Sequence, residues 1–335
     1  MRWPIRGFDT RWYPMTTESA AQPFDFTQEF IASKQRGLWS MALQRLIRNR
    51  LAFAAAIILI VITVLCVAGQ LIPAIERHAS GDQQYEVVNT GPSSTYWLGT
   101  DILGRDMWAR MLQGTLFSLK IGIGTQIVVL VIGITVGMGA ALGGRFSDQL
   151  LMWFTDLAYA FPDLLAIILL RQVLFGRDWP IIGTGDPQIP GLGSALLVTI
   201  LAISLVSWVT IARLIRGQML SIKEQDYVLA ARSIGASPWR VVRSHMLPNT
   251  LSTVIVAVTF GIPLAIFAEG ALGFIGLGVP PPDTSLGALM GDGYAYLFVN
   301  NWLVVWPAIM VATLMLCFTF LGDGLRDALD PRTKK

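Results

Sequence analysis

Six stretches of the chain carry almost nothing but apolar residues: 51–69, 121–142, 150–170, 194–211, 251–267 and 302–321. Crossing a bilayer takes roughly 20 apolar residues, because a helix rises ~1.5 Å per residue through ~30 Å of hydrocarbon. The pattern therefore predicts an all-α integral membrane protein with about six transmembrane helices. The third stretch is interrupted by Asp156, Pro162 and Asp163. Pro162 removes a backbone donor and is expected to kink or break that helix. The second contains Gly122, Gly124, Gly133, Gly137 and Gly139, small residues that allow close helix packing, with a mobile wall beside a pathway as the alternative. Just ahead of the first span, Leu38, Trp39, Ala42, Leu43, Leu46 and Ile47 recur at helical spacing. That predicts an amphipathic helix lying on the inner membrane face.

The same pattern divides the chain. Residues 1–36 form a polar, aperiodic cytoplasmic extension. Residues 37–75 hold the amphipathic lead-in and first span, and 76–118 an outer loop. Residues 119–321 hold the other five spans with an inner loop at 213–249, and 322–335 a cytoplasmic tail.

Composition agrees: 53% of residues are hydrophobic, 14% are charged, and the mean hydropathy is +0.57. A soluble domain is about one quarter charged. The two cysteines, Cys66 and Cys317, both lie inside apolar runs and have neither disulfide nor metal-site spacing. About 50 mostly polar residues precede the first span, so that span is expected to act as an uncleaved anchor. Basic residues then set the orientation. With the N-terminus placed inside, 19 of the 25 Lys and Arg fall in the N-terminal segment, the 143–149 and 213–250 loops and the tail. Both termini are therefore expected in the cytoplasm. The net charge of +3 follows from this topology and does not call for a nucleic-acid partner.

The inner loop reads as two short helices around Gly235. The first is expected to end near Ile234, with Gly235 in the left-handed conformation that closes a helix. Ser237 is placed as N-cap and Pro238 as the first residue of a second helix, which Pro248 stops, and Asn249 caps the fifth span. Outside, Asp101, Arg105, Asp106 and Arg110 alternate in sign at near-helical spacing. They form either a charge-laced cap shaping an external mouth or a solvated rim. The run from Gly276 to Pro282 cannot be regular helix and predicts a rigid turn at the outer gate. Asp156, Asp163 and Glu269 are ionisable groups within apolar runs, candidates for a path or gate, with structural roles as the alternative. Glu269 is expected at the outer end of its span, within reach of water.

At the inner loop the chain resembles the permease subunits of binding-protein-dependent ABC importers. Their cytoplasmic EAA loop has the pattern E-A-A, three residues, G, nine residues, I, one residue, L-P. Ala230, Ala231, Gly235, Leu247 and Pro248 stand at its matching positions. Leu229 stands where glutamate is usual, and His245 where isoleucine is usual. The H-x-L-P-N ending, the outer segment 97–115 (WLGTDILGRDMWARMLQGT), the stretch 269–290 and the closing LGDGLRDALDPR at 321–332 are similar to the C-type permeases of dipeptide, oligopeptide and nickel importers. In 269–290, Leu286 replaces a common tryptophan. The likeness runs in order over about 38–333.

The resemblance implies a type I importer permease in a prokaryotic inner membrane, pairing with a second homologous permease. Two cytoplasmic ATPases would bind ATP and Mg, so this chain would need no cofactor of its own, and an extracytoplasmic binding protein would deliver the solute. It also implies that Tyr227, Ala230, Ala231, Arg232, Gly235, Ala236, Arg240, Leu247 and Pro248 couple to the ATPases. Ala230 and Ala231 are expected on the face that enters an ATPase groove. Asp101, Arg105 and Asp106 are expected to shape the outer mouth.

There is no G-x-x-x-x-G-K-[ST], zinc motif, nucleophile elbow or CxxC pair. The competing class is a secondary transporter or channel, which predicts an inverted repeat and ion-coupling charges at mid-membrane. No matching repeat is present, and a membrane enzyme lacks a visible catalytic set.

Overall fold

A computed structural model describes residues 38–175 and 194–329. The N-terminal extension, Arg177 and the end of the tail lie outside the described residues. Helix α1 (Leu38–Arg48) is the lead-in. Asn49 then caps α2 (Arg50–Leu71), its side chain accepting from Ala52 N at 3.3 Å. After an outer loop come α3 (Met107–Leu142), α4 (Gly144–Tyr159), α5 (Asp163–Phe175) and α6 (Ser194–Lys223). The inner loop supplies α7 (Asp226–Ser233) and α8 (Pro238–Val241). A π-turn, Val242–Met246, leads into α9 (Leu247–Leu272). A second wide turn, Gly273–Leu277, precedes the short α10 (Leu286–Tyr294), and α11 (Trp302–Leu329) ends the fold. No strand occurs among the described residues.

Among the described residues, five helical runs are long and apolar enough to cross a membrane, and α4 with α5 makes a sixth crossing if counted as one bent span. Their axes differ by 92°, and Pro162 sits in the break, where it has no N–H to continue the ladder. The third span is thus not continuous past Pro162.

The centre of the fold is α3 lying along α6. Small residues make that approach possible: a Cβ on Gly137 would lie 2.6 Å from the Ala212 carbonyl oxygen. The two largest apolar clusters among the described residues link the helices. One joins Met107, Met111, Ile266, Leu286 and Leu314 of α3, α9, α10 and α11. The other joins Val129, Ile215, Met219, Val228, Val241 and Met246, so it runs from α3 and α6 directly into the inner loop. Helix α2 leaves Leu51, Ile60, Val61 and Val64 exposed, as a lipid-facing helix should.

Four differences from the sequence reading bear on the candidate site. Helix α3 starts at Met107, not near 121, because Asp106 caps it: its Oδ1 accepts from Trp108 N at 2.9 Å. Helix α6 continues past Ile211 to Lys223. The last helix continues through 322–329, so that part of the tail is helical. Pro248 does not stop a helix. The π-turn before it widens the backbone, with Leu247 N bonding to Val242 O. A widened turn accommodates the ring and the missing donor, and the run continues into α9. Asn249 is accordingly no cap; its Nδ2 donates to His245 O at 2.7 Å.

Candidate functional site: the inner elbow and the outer closure

The inner elbow is built on a Schellman turn. Gly235 has φ +86°, Gly235 N donates to Arg232 O at 2.9 Å, and Ala236 N to Ala231 O at 3.0 Å. This satisfies the last carbonyls of α7 and reverses the chain. Ser237 takes an extended N-cap backbone before Pro238, but its side chain makes no capping bond, contrary to expectation.

Packing explains which elbow residues face outward. Val228, Ala231, Val241, Val242 and Met246 are buried against Met219 and Ile222 of α6. The two alanines therefore do not share a face: Ala230 is exposed, whereas Ala231 points into the elbow's own core. Arg232, Arg240 and Pro248 are exposed, and Ala236 and Leu247 are half-buried. Tyr227 is exposed, its ring 6.2 Å from His245, and its hydroxyl accepts from Asn249 Nδ2 at 3.3 Å. Sequence reasoning missed the tip itself. Leu229, Ile234 and Trp239 are 49%, 86% and 66% exposed beside Tyr227. Apolar residues placed on the hydrophilic side of the periodicity were the available signal.

Charged pairs clasp α4 to α6 just above the elbow. Arg216 engages Asp148 through both Nε and Nη2, the latter at 2.6 Å from Oδ2. Arg213 Nη2 lies 2.7 Å from Asp156 Oδ1 and its guanidinium stands 4.6 Å from the Tyr159 ring. Asp156 is thus the exposed half of an inner ion pair. Asp163 opens α5 and is exposed. The fold does not bring Asp156, Asp163 and Glu269 together into one set.

On the opposite side, Asp101, Arg105, Asp106 and Arg110 are buried, at 5%, 6%, 2% and 3% exposure, so the quartet is not a solvated rim. Asp101 Oδ1 accepts from Leu103 N and Arg105 N, both at 2.9 Å, and Arg105 Nε donates to Asp101 Oδ2 at 2.7 Å. Arg110 stands 3.5 Å from Asp101 and reaches across to Thr284 Oγ1 at 2.9 Å and Asp292 at 3.7 Å. Partial burial pushes the Asp292 carboxyl above its ordinary value, while Arg110 and Arg105 pull the other way. Asp106 also stands 2.7 Å from His78 Nδ1.

Glu269 is 2% exposed, which corrects the expectation that water reaches it. The segment after α9 folds back over it. Gly276 reverses the chain with φ +82°, and α10 returns so closely that a Cβ on Gly287 would lie 2.4 Å from the Gly270 carbonyl oxygen. Glu269 accepts from Ser118 Oγ at 2.8 Å through Oε2, its Oε1 has no hydrogen-bond partner among the described residues, and Arg171 of α5 supplies a favourable charge. Arg171 Nη2 also donates to Gly278 O. The outer closure is therefore one buried polar network tying α3, α5, α9 and α10.

Lys120 is a further residue that the sequence reading did not single out. It sits on α3 between the buried Leu119 and Ile121, yet is itself exposed toward a polar cavity of about 400 Å³.

Comparison with known proteins agrees with this architecture. Residues 133–335 match the family described as binding-protein-dependent transport system inner membrane component. Residues 37–92 match the N-terminal TM domain of oligopeptide transport permease C. The dipeptide transport system permease protein DppC of Bacillus subtilis (strain 168) is 37% identical over 295 residues, covering 88% of this chain and 86% of the relative. The oligopeptide transport system permease protein OppC of Escherichia coli (strain K12) is 32% identical over 322 residues, covering 96% and 100%. Among solved structures, an inward facing conformation of the MetNI methionine ABC transporter superposes with a TM-score of 0.53 at 20% identity, covering 67% of this chain and 97% of the other. That likeness is one of fold.

Proposed function

The chain belongs to the family of binding-protein-dependent transport system inner membrane components, and from that premise we propose that it is the C-type permease subunit of an ATP-driven importer of short peptides. The peptide assignment rests on its relatives, which are named dipeptide and oligopeptide permeases. In this reading the chain forms half of the translocation path. A second homologous permease forms the other half, two cytoplasmic ATPases bind ATP and Mg, and a binding protein docks outside. Both termini face the cytoplasm of a prokaryotic cell, in line with the basic bias of the inner segments.

The observation that carries the proposal is the elbow. A rigid helix–turn–helix presents Tyr227, Leu229, Ile234 and Trp239 outward, and an apolar tip rimmed by Arg232 and Arg240 fits a partner's groove. Its underside is continuous with the core of α6 and with the turn leading into α9. A push on the tip therefore moves α6 and α9 as bodies, since packed interiors transmit strain. Helix α4 follows through the Arg216–Asp148 clasp, and α9 carries Glu269 of the outer closure at its far end.

The test is reconstitution with the second permease, the ATPases and the binding protein in proteoliposomes. Peptide uptake should require ATP inside the cytoplasmic compartment, and the ATPases should copurify with this chain. Uptake driven by an ion gradient without ATPases would replace this reading with a secondary transporter.

A further inference from the structure

The cavity beside Lys120 has an uneven distribution of charge. Its polar lining includes Gln70 and Glu76 at the end of α2 and the turn beyond it, Gln113 and Lys120 on α3, and Asp283 ahead of α10. Phe117 lies among them as an apolar wall. Gln113 Nε2 donates to Asp283 Oδ1 at 3.3 Å, so the Asp283 carboxylate marks the level of Gln113. Glu76 adds a second carboxylate, with Oε1 accepting from Ser80 N at 2.9 Å. Lys120 forms no ion pair among the described residues. An ammonium on a membrane helix is costly unless it serves a partner or a path.

Helix geometry sets the distance between the two poles. Gln113 and Lys120 are two turns apart on one face of α3, a separation of roughly 10 Å. An extended chain spans at most ~3.3–3.6 Å per residue, so a tripeptide reaches about as far from its amino to its carboxyl end. The cavity volume of about 400 Å³ falls in the range of roughly 300–1,000 Å³ for small-ligand sites.

We propose that this basin is a transient acceptor for short zwitterionic peptides, with Lys120 taking the terminal carboxylate and Asp283 and Glu76 the terminal amine. The proposal deepens the importer reading and rests on it. Lys120 acts as a binding residue here, while Gln113 positions Asp283. A charged hydrogen bond in a partly enclosed site changes affinity by tenfold or more.

The experiment uses the full reconstituted complex with wild-type chain, Lys120→Met and Lys120→Arg. Initial uptake is measured for a tripeptide as its free acid and as its C-terminal amide, at matched occupancy of the binding protein. Lys120→Met should lower free-acid uptake about tenfold and leave amide uptake near wild type. Lys120→Arg should retain the preference for the acid. A second measurement keeps Lys120 intact: in Gln70→Cys, thiol labelling from outside should be slowed by the free acid and not by the amide. Equal loss on both substrates, or no loss on either, together with labelling indifferent to peptide, overturns the acceptor site alone. If the wild-type complex takes up no peptide with ATP, the importer reading falls and the acceptor falls with it.

Discussion

Ser118 on α3 and Glu269 on α9, 151 positions apart in sequence, meet through a 2.8 Å hydrogen bond in the buried outer half of the molecule. Ser118 Oγ is also 3.4 Å from Leu286 N, the first N–H of α10. One hydroxyl thus joins two spans and the segment that closes over them. Because Glu269 Oε1 has no hydrogen-bond partner among the described residues, the Ser118 bond is the contact that anchors this buried carboxyl.

Removal of the carboxyl therefore tests whether the closure acts as a unit. Glu269→Ala leaves the buried Ser118 hydroxyl without its acceptor, at about 1–3 kcal/mol. It should lower the thermal unfolding midpoint of the purified complex and reduce transport. Glu269→Gln keeps an acceptor for Ser118 and should be the milder change in both assays. Indistinguishable midpoints for the two variants would show that Glu269 does not organise this region.

The glycines beneath α10 make an asymmetric prediction. A Cβ on Gly287 would meet the Gly270 carbonyl oxygen at 2.4 Å, which is backbone and cannot swing away, whereas a Cβ on Gly270 meets nothing within 4 Å. Gly287→Ala should displace α10 and cut transport severely, and Gly270→Ala should be nearly silent. Uptake and protease sensitivity of the 276–294 segment would register both. Equal behaviour would mean that α10 does not seat as described.

Much of this was legible in the sequence, and the parts that were not share a cause. The apolar runs located the spans, and Gly235 was readable because a left-handed closing residue is a local requirement. The boundary at Met107 was hidden because the residues before 121 are mixed in polarity, being buried against the outer closure and not lipid. The burial of Glu269 depended on Ser118 and Ser285 arriving from elsewhere in the chain, which no local pattern reveals. Pro248 was misread because its ordinary effect is to stop a helix, and the π-turn that absorbs it has no plain signature. Ala231 was misread because an alanine pair looks alike on both faces until the neighbouring core is known.

Two ion pairs hold α4 to α6, and they should not be equal. Arg216 engages Asp148 through two nitrogens with both side chains about one third exposed or less (32% and 27%). The Asp156 side chain of the Arg213 pair is 70% exposed, and such pairs contribute about 0–1 kcal/mol. Asp148→Arg should uncouple ATP hydrolysis from uptake by freeing the broken span, and Asp148→Arg with Arg216→Asp should restore part of it. Asp156→Asn should change little. Measuring peptide taken up per ATP hydrolysed separates these outcomes, and full coupling in Asp148→Arg would remove the clasp from the mechanism.

The elbow permits the sharpest separation between shape and contact. Gly235 has open space around a would-be Cβ, so Gly235→Val suffers from its φ of +86° and not from collision. That backbone strain costs about 1–2 kcal/mol for a residue with a side chain, more for a β-branched one. Ala231→Trp is a different lesion. Ala231 is 8% exposed within the elbow's own core, so a large ring there should unseat α7 from α6 and expose the loop to protease. Ile234→Ser and Trp239→Ser alter only the exposed tip. They should leave protease resistance and membrane insertion unchanged while weakening ATPase association by tenfold or more, the expected consequence of losing apolar contact in a partner groove. Subunit stoichiometry after detergent extraction, together with limited proteolysis, distinguishes the two classes. Intact ATPase association in the tip variants would show that this surface is not where the power enters, and the coupling role would have to move elsewhere on the inner face.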